Sequence, residues 1–156
     1  MKGYSLPEVL VTLSLTSIVT AIAVLNFDGL LNKAEIASDE LVSLYKVVRS
    51  RAISNTQAYL LEAESPTRVK ISRRASCSVD DELADPWVED VSLSQDLPNG
   101  AVLVLDDFDG DGNTELWEVC LSSRGFPDSN LEFSINDNDG ETRVVEIFLG
   151  GSVEVF

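Results

Sequence analysis

Residues 107–118 carry oxygen-bearing side chains at a regular spacing. Counted from Asp107, these side chains stand at positions 1, 3, 5, 7, 9 and 12, and position 6 is glycine. Ca²⁺ takes six to eight hard oxygen ligands, and a backbone that wraps the ion turns most sharply at a glycine. The spacing therefore predicts a Ca²⁺ site, whose ligands would be Asp107, Asp109, Asp111, Asn113, Glu115 and Glu118.

The residues on either side of this acidic segment alternate in hydrophobicity, which predicts strands at 101–105 and 116–121. The segment is therefore not an EF-hand, whose calcium loop joins two helices. Glu118 would lie in the second strand, so Asp106 is the alternative ligand at the end of the site. The competing interpretation is a solvated acidic hairpin turn between the two strands, without an ion.

The 156 residues include no histidine. This absence excludes a Ser-His-Asp or Cys-His nucleophile and a His-ligated zinc site. Nothing else in the sequence pairs a nucleophile with a base, so we expect a protein that is not an enzyme.

The net charge of -16 is distributed unevenly along the chain. Residues 1–74 hold nine basic and seven acidic side chains, whereas residues 75–156 hold two basic and twenty acidic ones. Phosphate contacts require clustered Lys and Arg, so nucleic acid is a disfavoured partner. The one candidate surface for phosphate is a basic run that can equally be a solvated strand edge: Arg68, Lys70, Arg73 and Arg74.

An uncharged apolar segment of seventeen residues runs from Val9 to Leu25. This length is at the short end of what a helix needs to cross a bilayer core, and we expect a membrane helix. The alternative is a buried core helix. The apolar segment also contains four small hydroxyl residues, which lower its hydropathy: Ser14, Thr16, Ser17 and Thr20. Their hydroxyl groups can donate hydrogen bonds to helix carbonyls, so they do not exclude a membrane helix.

Met1-Lys2-Gly3, followed by Tyr4-Ser5-Leu6-Pro7-Glu8 and the apolar segment, resembles the class III signal of type IV pilins and type II secretion pseudopilins. The resemblance implies that prepilin peptidase cleaves between Gly3 and Tyr4 and methylates Tyr4. It also implies that Glu8 neutralises the N-terminal ammonium of a neighbouring subunit during assembly. A carboxylate at the edge of hydrocarbon needs a partner, which agrees with that role. Pro7 is tolerated because it falls in the first helical turn.

The resemblance implies three regions: a leader at residues 1–3, a transmembrane and assembly helix at 4–28, and an exported globular domain at 29–156. The subunit would lie in the inner membrane before assembly, with its globular domain in the periplasm or exterior. It would then join other pilin or pseudopilin subunits in a filament. The sequence leaves open whether that filament is a type IV pilus or a type II secretion pseudopilus.

Apolar residues spaced by three and four from Leu30 predict an amphipathic helix that reaches about Ser54. Asn26 to Gly29 interrupt the pattern before it. Beyond residue 55 the period is two, and the last three strands read as an antiparallel meander. The sequence therefore predicts an α+β fold in which an antiparallel sheet packs on the helix. The predicted strands are 58–63, 68–72, 88–93, 101–105, 116–121, 131–136, 142–149 and 153–156.

The order of these elements resembles the GspH/FimT group of minor pilins and pseudopilins. The matching residues are 49–53 at the helix end, 123–126 before a strand and the closing turn at 150–153. Some FimT-type relatives bind DNA during natural transformation, so a DNA-binding minor pilin is the alternative function. Only the basic run 68–74 offers it a surface.

Cys77 and Cys120 are the two cysteines of the chain. The export that the resemblance implies places them in an oxidising compartment, where we expect a disulfide between them. Such a bridge closes a loop of about 44 residues, which the chain-entropy model values at about 4 kcal/mol. The alternative is a pair of free buried cysteines.

Overall fold

The computed structural model describes residues 5–25, 32–78, 86–104 and 117–156. Contacts divide the chain into two units, Met1–Asn32 and Lys33–Phe156. In the first unit, helix α1 spans Leu6–Leu25. In the second unit, helix α2 spans Lys33–Asn55 and is followed by strands β1 to β9.

Helix α1 begins where the carbonyl oxygen of Ser5 accepts backbone hydrogen bonds from Glu8 and Val9, at 3.0 and 3.2 Å. Pro7 lies in this first turn, as expected, where its missing N–H costs no helical bond. The small hydroxyls of the helix donate to carbonyls three or four residues earlier, which confirms the prediction for Ser14, Thr16, Ser17 and Thr20. The described side chains at 5–21 are all exposed. The part of α1 whose side chains are described therefore has no buried face.

Helix α2 buries the apolar stripe that its sequence spacing predicts. Ala34, Ala37, Leu41, Leu44, Val48 and Ala52 are all buried, together with Ser38 and Tyr45. Most of the helix's charged residues lie on the other faces, in contact with solvent. The amphipathic-helix prediction is therefore confirmed.

Two antiparallel sheets pack on this stripe. Sheet A has the order β3-β2-β1-β6, with β4 also paired to β2, and sheet B has the order β5-β7-β8-β9. The strands of sheet A are β1 (Ala58–Ser65), β2 (Arg68–Arg74), β3 (Val88–Glu89), β4 (Gln95–Asp96) and β6 (Glu118–Leu121). The strands of sheet B are β5 (Ala101–Val104), β7 (Leu131–Asp137), β8 (Thr142–Ile147) and β9 (Val153–Val155). The inner faces of both sheets and the stripe of α2 form one hydrophobic core.

The α+β class and the antiparallel meander of β7, β8 and β9 are confirmed. The expectation of one sheet is corrected to two, because β5 pairs with β7 and β6 pairs with β1. Strand alternation shows which residues face the core, but it does not show which strands are partners.

The strand predicted at 88–93 is also corrected. After β3 the chain turns at Asp90, whose side chain accepts a bond from the amide of Ser92 at 3.2 Å. The Asp90 carbonyl oxygen accepts bonds from the amides of Leu93 and Ser94, at 2.9 and 3.0 Å. An aspartate that bonds the backbone two residues on competes with strand pairing, so it ends β3 and the pairing resumes only at β4.

Candidate functional site

The assembly residues lie at the start of the chain. Gly3 and Tyr4, the predicted cleavage and methylation positions, fall outside the described residues. Glu8 lies in the first turn of α1 and is exposed to solvent. Within the part of the chain that the structure describes, no helix meets the combined length and hydropathy needed to cross a membrane.

The predicted calcium ligands at Asp107, Asp109, Asp111, Asn113 and Glu115 fall outside the described residues, as does Asp106. Glu118, the sixth predicted ligand, is exposed at the first position of β6. Among the described residues, no three acidic, cysteine or histidine side chains are close enough to hold a metal ion. The calcium site therefore stays a prediction.

The strands that flank the acidic segment belong to different sheets. β5, before the segment, pairs with β7 in sheet B, whereas β6, after it, pairs with β1 in sheet A. The described residues of these two strands do not pair with each other, so they form no hairpin, whereas an acidic turn without an ion stays the alternative to a calcium site. Residues 105–116 instead connect one sheet to the other along the chain.

Trp117 anchors the end of the acidic segment in the core. Its ring stacks on Phe133 of β7, with centroids 4.5 Å apart and 16° between the ring planes. Its carbonyl oxygen accepts a hydrogen bond of 3.0 Å from the amide of Ala63 in β1. The residue next to the segment thus contacts both sheets, and its indole can report changes there.

Glu118 lies directly opposite Glu62 in the β1–β6 pairing. On the other side of Glu62, the Lys70 ammonium is 2.5 Å from its carboxylate, and this bond raises the pKa of Lys70. Two carboxylates opposite each other on neighbouring strands are unfavourable unless a cation compensates them. Lys70 supplies one such charge, and it is already bound to Glu62.

Cys77 and Cys120 form a disulfide in the structure, as predicted. Cys120 is buried in β6, and a small apolar cluster surrounds the bridge on the outer face of sheet A: Ala58, Leu60 and Trp87. The guanidinium carbon of Arg74 lies 4.2 Å from the centroid of the Trp87 ring. The bridge therefore joins the segment after β2 to β6, in the cluster that includes Trp87.

Two of the four cations in the basic run at 68–74 are paired with carboxylates in the structure. Arg68 makes salt bridges to Glu64, Glu89 and Asp96, at 2.7, 3.7 and 3.1 Å. The hydrogen bonds that Arg68 donates to Asp96, and then to Glu64, raise the pKa of Arg68. Together with the Lys70 pair, these contacts direct Arg68 and Lys70 to carboxylates of the same sheet, whereas Arg73 and Arg74 make no salt bridge with any described residue. A phosphate backbone would have to compete with those carboxylates, so the structure does not strengthen the DNA-binding alternative.

Arg49 is a structural residue of α2 that lies outside the buried apolar stripe. Its guanidinium donates a hydrogen bond of 2.5 Å to the carbonyl oxygen of Gly151. A Cβ atom on Gly151 would lie 2.6 Å from the Arg49 Cζ, and one on Gly125 would lie 3.0 Å from its Cγ. Both glycines have a positive φ, of +78° and +76°. The sequence shows a glycine in each of these two turns. It does not show that both glycines contact Arg49, because the turns are far apart along the chain.

Asp137, the last residue of β7, lies close to the first amides of α2. One of its oxygens accepts bonds from the amides of Asp139 and Glu141, at 2.9 and 3.0 Å. Burial by itself would raise the pKa of Asp137, but these amides and those of Ala34 and Lys33 lower it. The first turn of a helix leaves amides without helical acceptors, and a carboxylate there is favourable. The sequence indicates a turn at 137–140, but it does not show that this turn lies next to the start of α2.

The chain matches two solved structures over most of its length. One is the minor pseudopilin EpsH from the type 2 secretion system of Vibrio cholerae, with 14% identity and a TM-score of 0.57, covering 80% of this chain and 97% of that chain. The other is the type IV minor pilin FimU of Pseudomonas aeruginosa, with 19% identity and a TM-score of 0.52, covering 80% and 89%. The fold is therefore pilin-like. No protein-family model matches the sequence, and no curated protein is significantly similar to it.

In this pilin-like fold, the sequence-predicted residues that the structure describes belong to different elements of the chain. The disulfide lies on the outer face of sheet A, Glu8 lies in α1, and the acidic segment separates β5 from β6.

Proposed function

We propose that this chain is a minor pilin or pseudopilin, a structural subunit that assembles into a type IV pilus or a type II secretion pseudopilus. The observation that carries the proposal is the pilin-like fold, which nearly spans the solved chains of a minor pseudopilin and a minor pilin. The role is structural rather than catalytic, in agreement with the absence of histidine from the sequence.

The N-terminal residues support assembly through the membrane. Helix α1 exposes apolar side chains in several directions, since they occur at consecutive positions such as Val9, Leu10 and Val11. A helix of this kind needs lipid or other apolar helices to cover it. Before assembly the protein would lie in the inner membrane, with residues 29–156 in the periplasm or exterior. In the filament, Glu8 would pair with the ammonium of a neighbouring subunit, after the peptidase has removed residues 1–3 and methylated Tyr4.

Bound Ca²⁺ is part of the proposal. Its support is the spacing of Asp107, Asp109, Asp111, Asn113 and Glu115, and the net charge of -18 in residues 75–156. Glu118 or Asp106 would complete the ligand set. Neutralising these carboxylates would remove their mutual repulsion and stabilise the connection between the two sheets.

The proposal is tested by following the tagged full-length chain into filaments sheared from cells. We expect native protein in the sheared fraction and Glu8→Ala in the membrane fraction only, because the variant leaves a buried ammonium without its counter-charge. Glu8→Asp, which keeps the carboxylate, and Thr12→Ala, one turn further along α1, are the matched controls. Absence of the native chain from filaments that contain the other subunits would exclude the proposed function.

A further inference from the structure

A groove of about 670 Å³ lies between α2 and the segment that joins β3 to β4. Its apolar lining combines the buried side chains of Leu44 and Leu93 with Val47, which has 46% of its surface exposed. Asp39 and Glu40 line the same groove, and its described lining contains no basic residue. The groove therefore offers an apolar surface next to two negative charges.

The two walls of the groove are held together. The Arg51 guanidinium of α2 lies 3.3 Å from the Asp90 carboxylate and 3.3 Å from the Ser92 hydroxyl. The Asp90 carbonyl oxygen accepts hydrogen bonds from the amides of Leu93 and Ser94, which fixes the course of the backbone in the second wall. An occupant would therefore find the groove already formed, and little entropy would be lost in shaping it.

The α2 wall of the groove is a second helical face, separate from the buried stripe. Ile36, Glu40, Ser43 and Val47 follow one another at intervals of four, three and four residues, so they lie on one side of the helix. Eleven residues separate the first of them from the last, which at 1.5 Å per residue is about 16 Å. This length matches about three turns of a partner helix and exceeds what a small molecule needs.

The charges of the groove select the kind of partner. Asp39 and Glu40 are exposed, and neither makes a salt bridge with any residue in the described ranges. A second copy of this chain is disfavoured as the occupant, because each copy carries a net charge of -16 and the groove is itself acidic. A different protein whose contacting segment carries Lys or Arg beside apolar residues complements both properties of the groove.

The position of the groove in the chain favours another filament subunit as that protein. Only seven residues separate the end of α1 from the start of α2. In the proposed function, α1 packs among the helices of other subunits. A subunit bound to α1 is tethered to α2 through this short connection, which raises its effective concentration at the groove. A contact between unlike subunits also ends at the partner, as a minor subunit requires.

We infer that the groove binds an apolar, basic helical segment of a different filament subunit. Apolar side chains of that segment would pack on Leu44, Val47 and Leu93. Its Lys or Arg side chains would pair with the carboxylates of Asp39 and Glu40. The inference rests on the proposed function and adds to it the chemistry of one neighbour.

Photochemical cross-linking in intact cells that assemble the filament tests this contact. The tagged full-length chain carries p-benzoylphenylalanine in place of Ser50, an exposed residue three positions after Val47 on α2. Mass spectrometry after illumination identifies both the captured protein and the captured peptide. We expect a filament subunit other than this chain, captured through a segment that contains apolar residues and at least one Lys or Arg.

Charge reversal tests the electrostatic part of the contact. Asp39→Lys combined with Glu40→Lys should lower the capture per molecule of chain at least about tenfold, because like charges would then lie opposite each other. Replacing the captured Lys or Arg of the partner by Glu should restore the capture. Glu132→Lys combined with Glu154→Lys is the matched control, because these exposed positions of sheet B change the net charge equally. This control should leave the capture unchanged.

Several results would overturn the contact. They are the absence of any capture, the capture of a second copy of this chain, and the capture of a protein that is not a filament subunit. Capture that is equally strong in the groove reversal and in the control reversal would also overturn it, since the carboxylates would then have no part in binding.

The outcome is distinguishable from that of the shearing experiment. If sheared filaments contain the chain and the groove captures no other subunit, the contact is wrong and the proposed function stands. If the groove captures a basic segment of another subunit, but sheared filaments never contain the chain, the contact stands and the proposed function fails.

Discussion

The Arg49 guanidinium of α2 donates a hydrogen bond to the carbonyl oxygen of Gly151, a residue that follows it by 102 positions. Gly151 lies in the turn between β8 and β9 of sheet B. The stem of the same arginine is adjacent to Gly125, in the turn after β6 of sheet A. One side chain thus links the end of the helix to both sheets.

Gly151→Ala should destabilise the protein by more than about 1 kcal/mol, because alanine at a positive φ is strained and its Cβ would collide with the arginine. Gly150→Ala is the matched control, since nothing lies within 4 Å of a Cβ at that neighbouring position. The measurement is the free energy of unfolding in urea. Equal losses in the two variants would mean that the contact with Arg49 does not constrain the turn.

The disulfide between Cys77 and Cys120 should contribute up to about 4 kcal/mol, the value that the chain-entropy model gives for its loop. Thiol labelling of the unreduced, denatured protein should detect no free thiol. Reduction should lower the melting temperature of the native protein and leave that of a Cys77→Ser, Cys120→Ser double variant unchanged. Two labelled cysteines in the unreduced protein would contradict the bridge.

Asp137 should make stability depend on pH in the acid range. Its pKa is lowered below the ordinary value of 3.8, so its contribution is present above that value and is lost as the pH falls through the lowered pKa. Asp137→Asn keeps a carbonyl acceptor for the turn but removes the charge next to the start of α2. We expect this variant to be less stable at neutral pH and to lose less stability on acidification below about pH 4.

The measurement for Asp137 is the urea midpoint at several pH values between neutrality and strong acid. Asp139→Asn is the matched control, because that side chain is exposed in the same turn and only its backbone amide contacts Asp137. Curves for Asp137→Asn that run parallel to the native curves would show that the carboxylate has no such role.

Calcium should raise the melting temperature of the protein. A hundredfold excess over the dissociation constant corresponds to about 2.7 kcal/mol of stabilisation. Magnesium should do less, because it demands a tighter octahedral geometry and releases water reluctantly. Asp109→Ala should abolish the calcium effect, whereas Glu132→Ala, in β7, should retain it. Trp117 fluorescence provides a second readout beside the segment. Melts that coincide in calcium, magnesium and chelator would remove the calcium proposal.

Processing should remove residues 1–3. Mass spectrometry of protein from filaments should find methylated Tyr4 at the N-terminus, and a strain without the peptidase should retain Met1. The reason is the Gly3-Tyr4 junction ahead of Glu8 and an apolar helix. Protein with an intact Met1 in assembled filaments would be incompatible with this assignment.

Local patterns in the sequence predicted much of the fold. The stripe from Ala34 to Ala52 identified the buried face of α2, because helical periodicity is a property of neighbouring residues. The meander of β7 to β9 was predictable for a similar reason, since short turns bring consecutive strands together. The disulfide followed from the number of cysteines and the compartment that the signal implied.

Contacts between distant segments were not predictable in this way. The partners of β5 and β6, the bond from Arg49 to Gly151 and the position of Asp137 at the start of α2 all depend on how separate segments pack. Asp90 is an intermediate case. Its Asx turn is a local signal, but it competes with a strand pattern in Val88 and Val91 that predicts continuous pairing.

The disulfide also determines what a protease can release from this protein. Its loop contains β3, β4, β5 and the acidic segment, and both of its ends lie in sheet A or directly after it. A cut at any single peptide bond between residues 78 and 119 therefore leaves two fragments that remain covalently joined. They separate on a denaturing gel only after reduction, so the nicked protein can pass for intact until the bridge is broken.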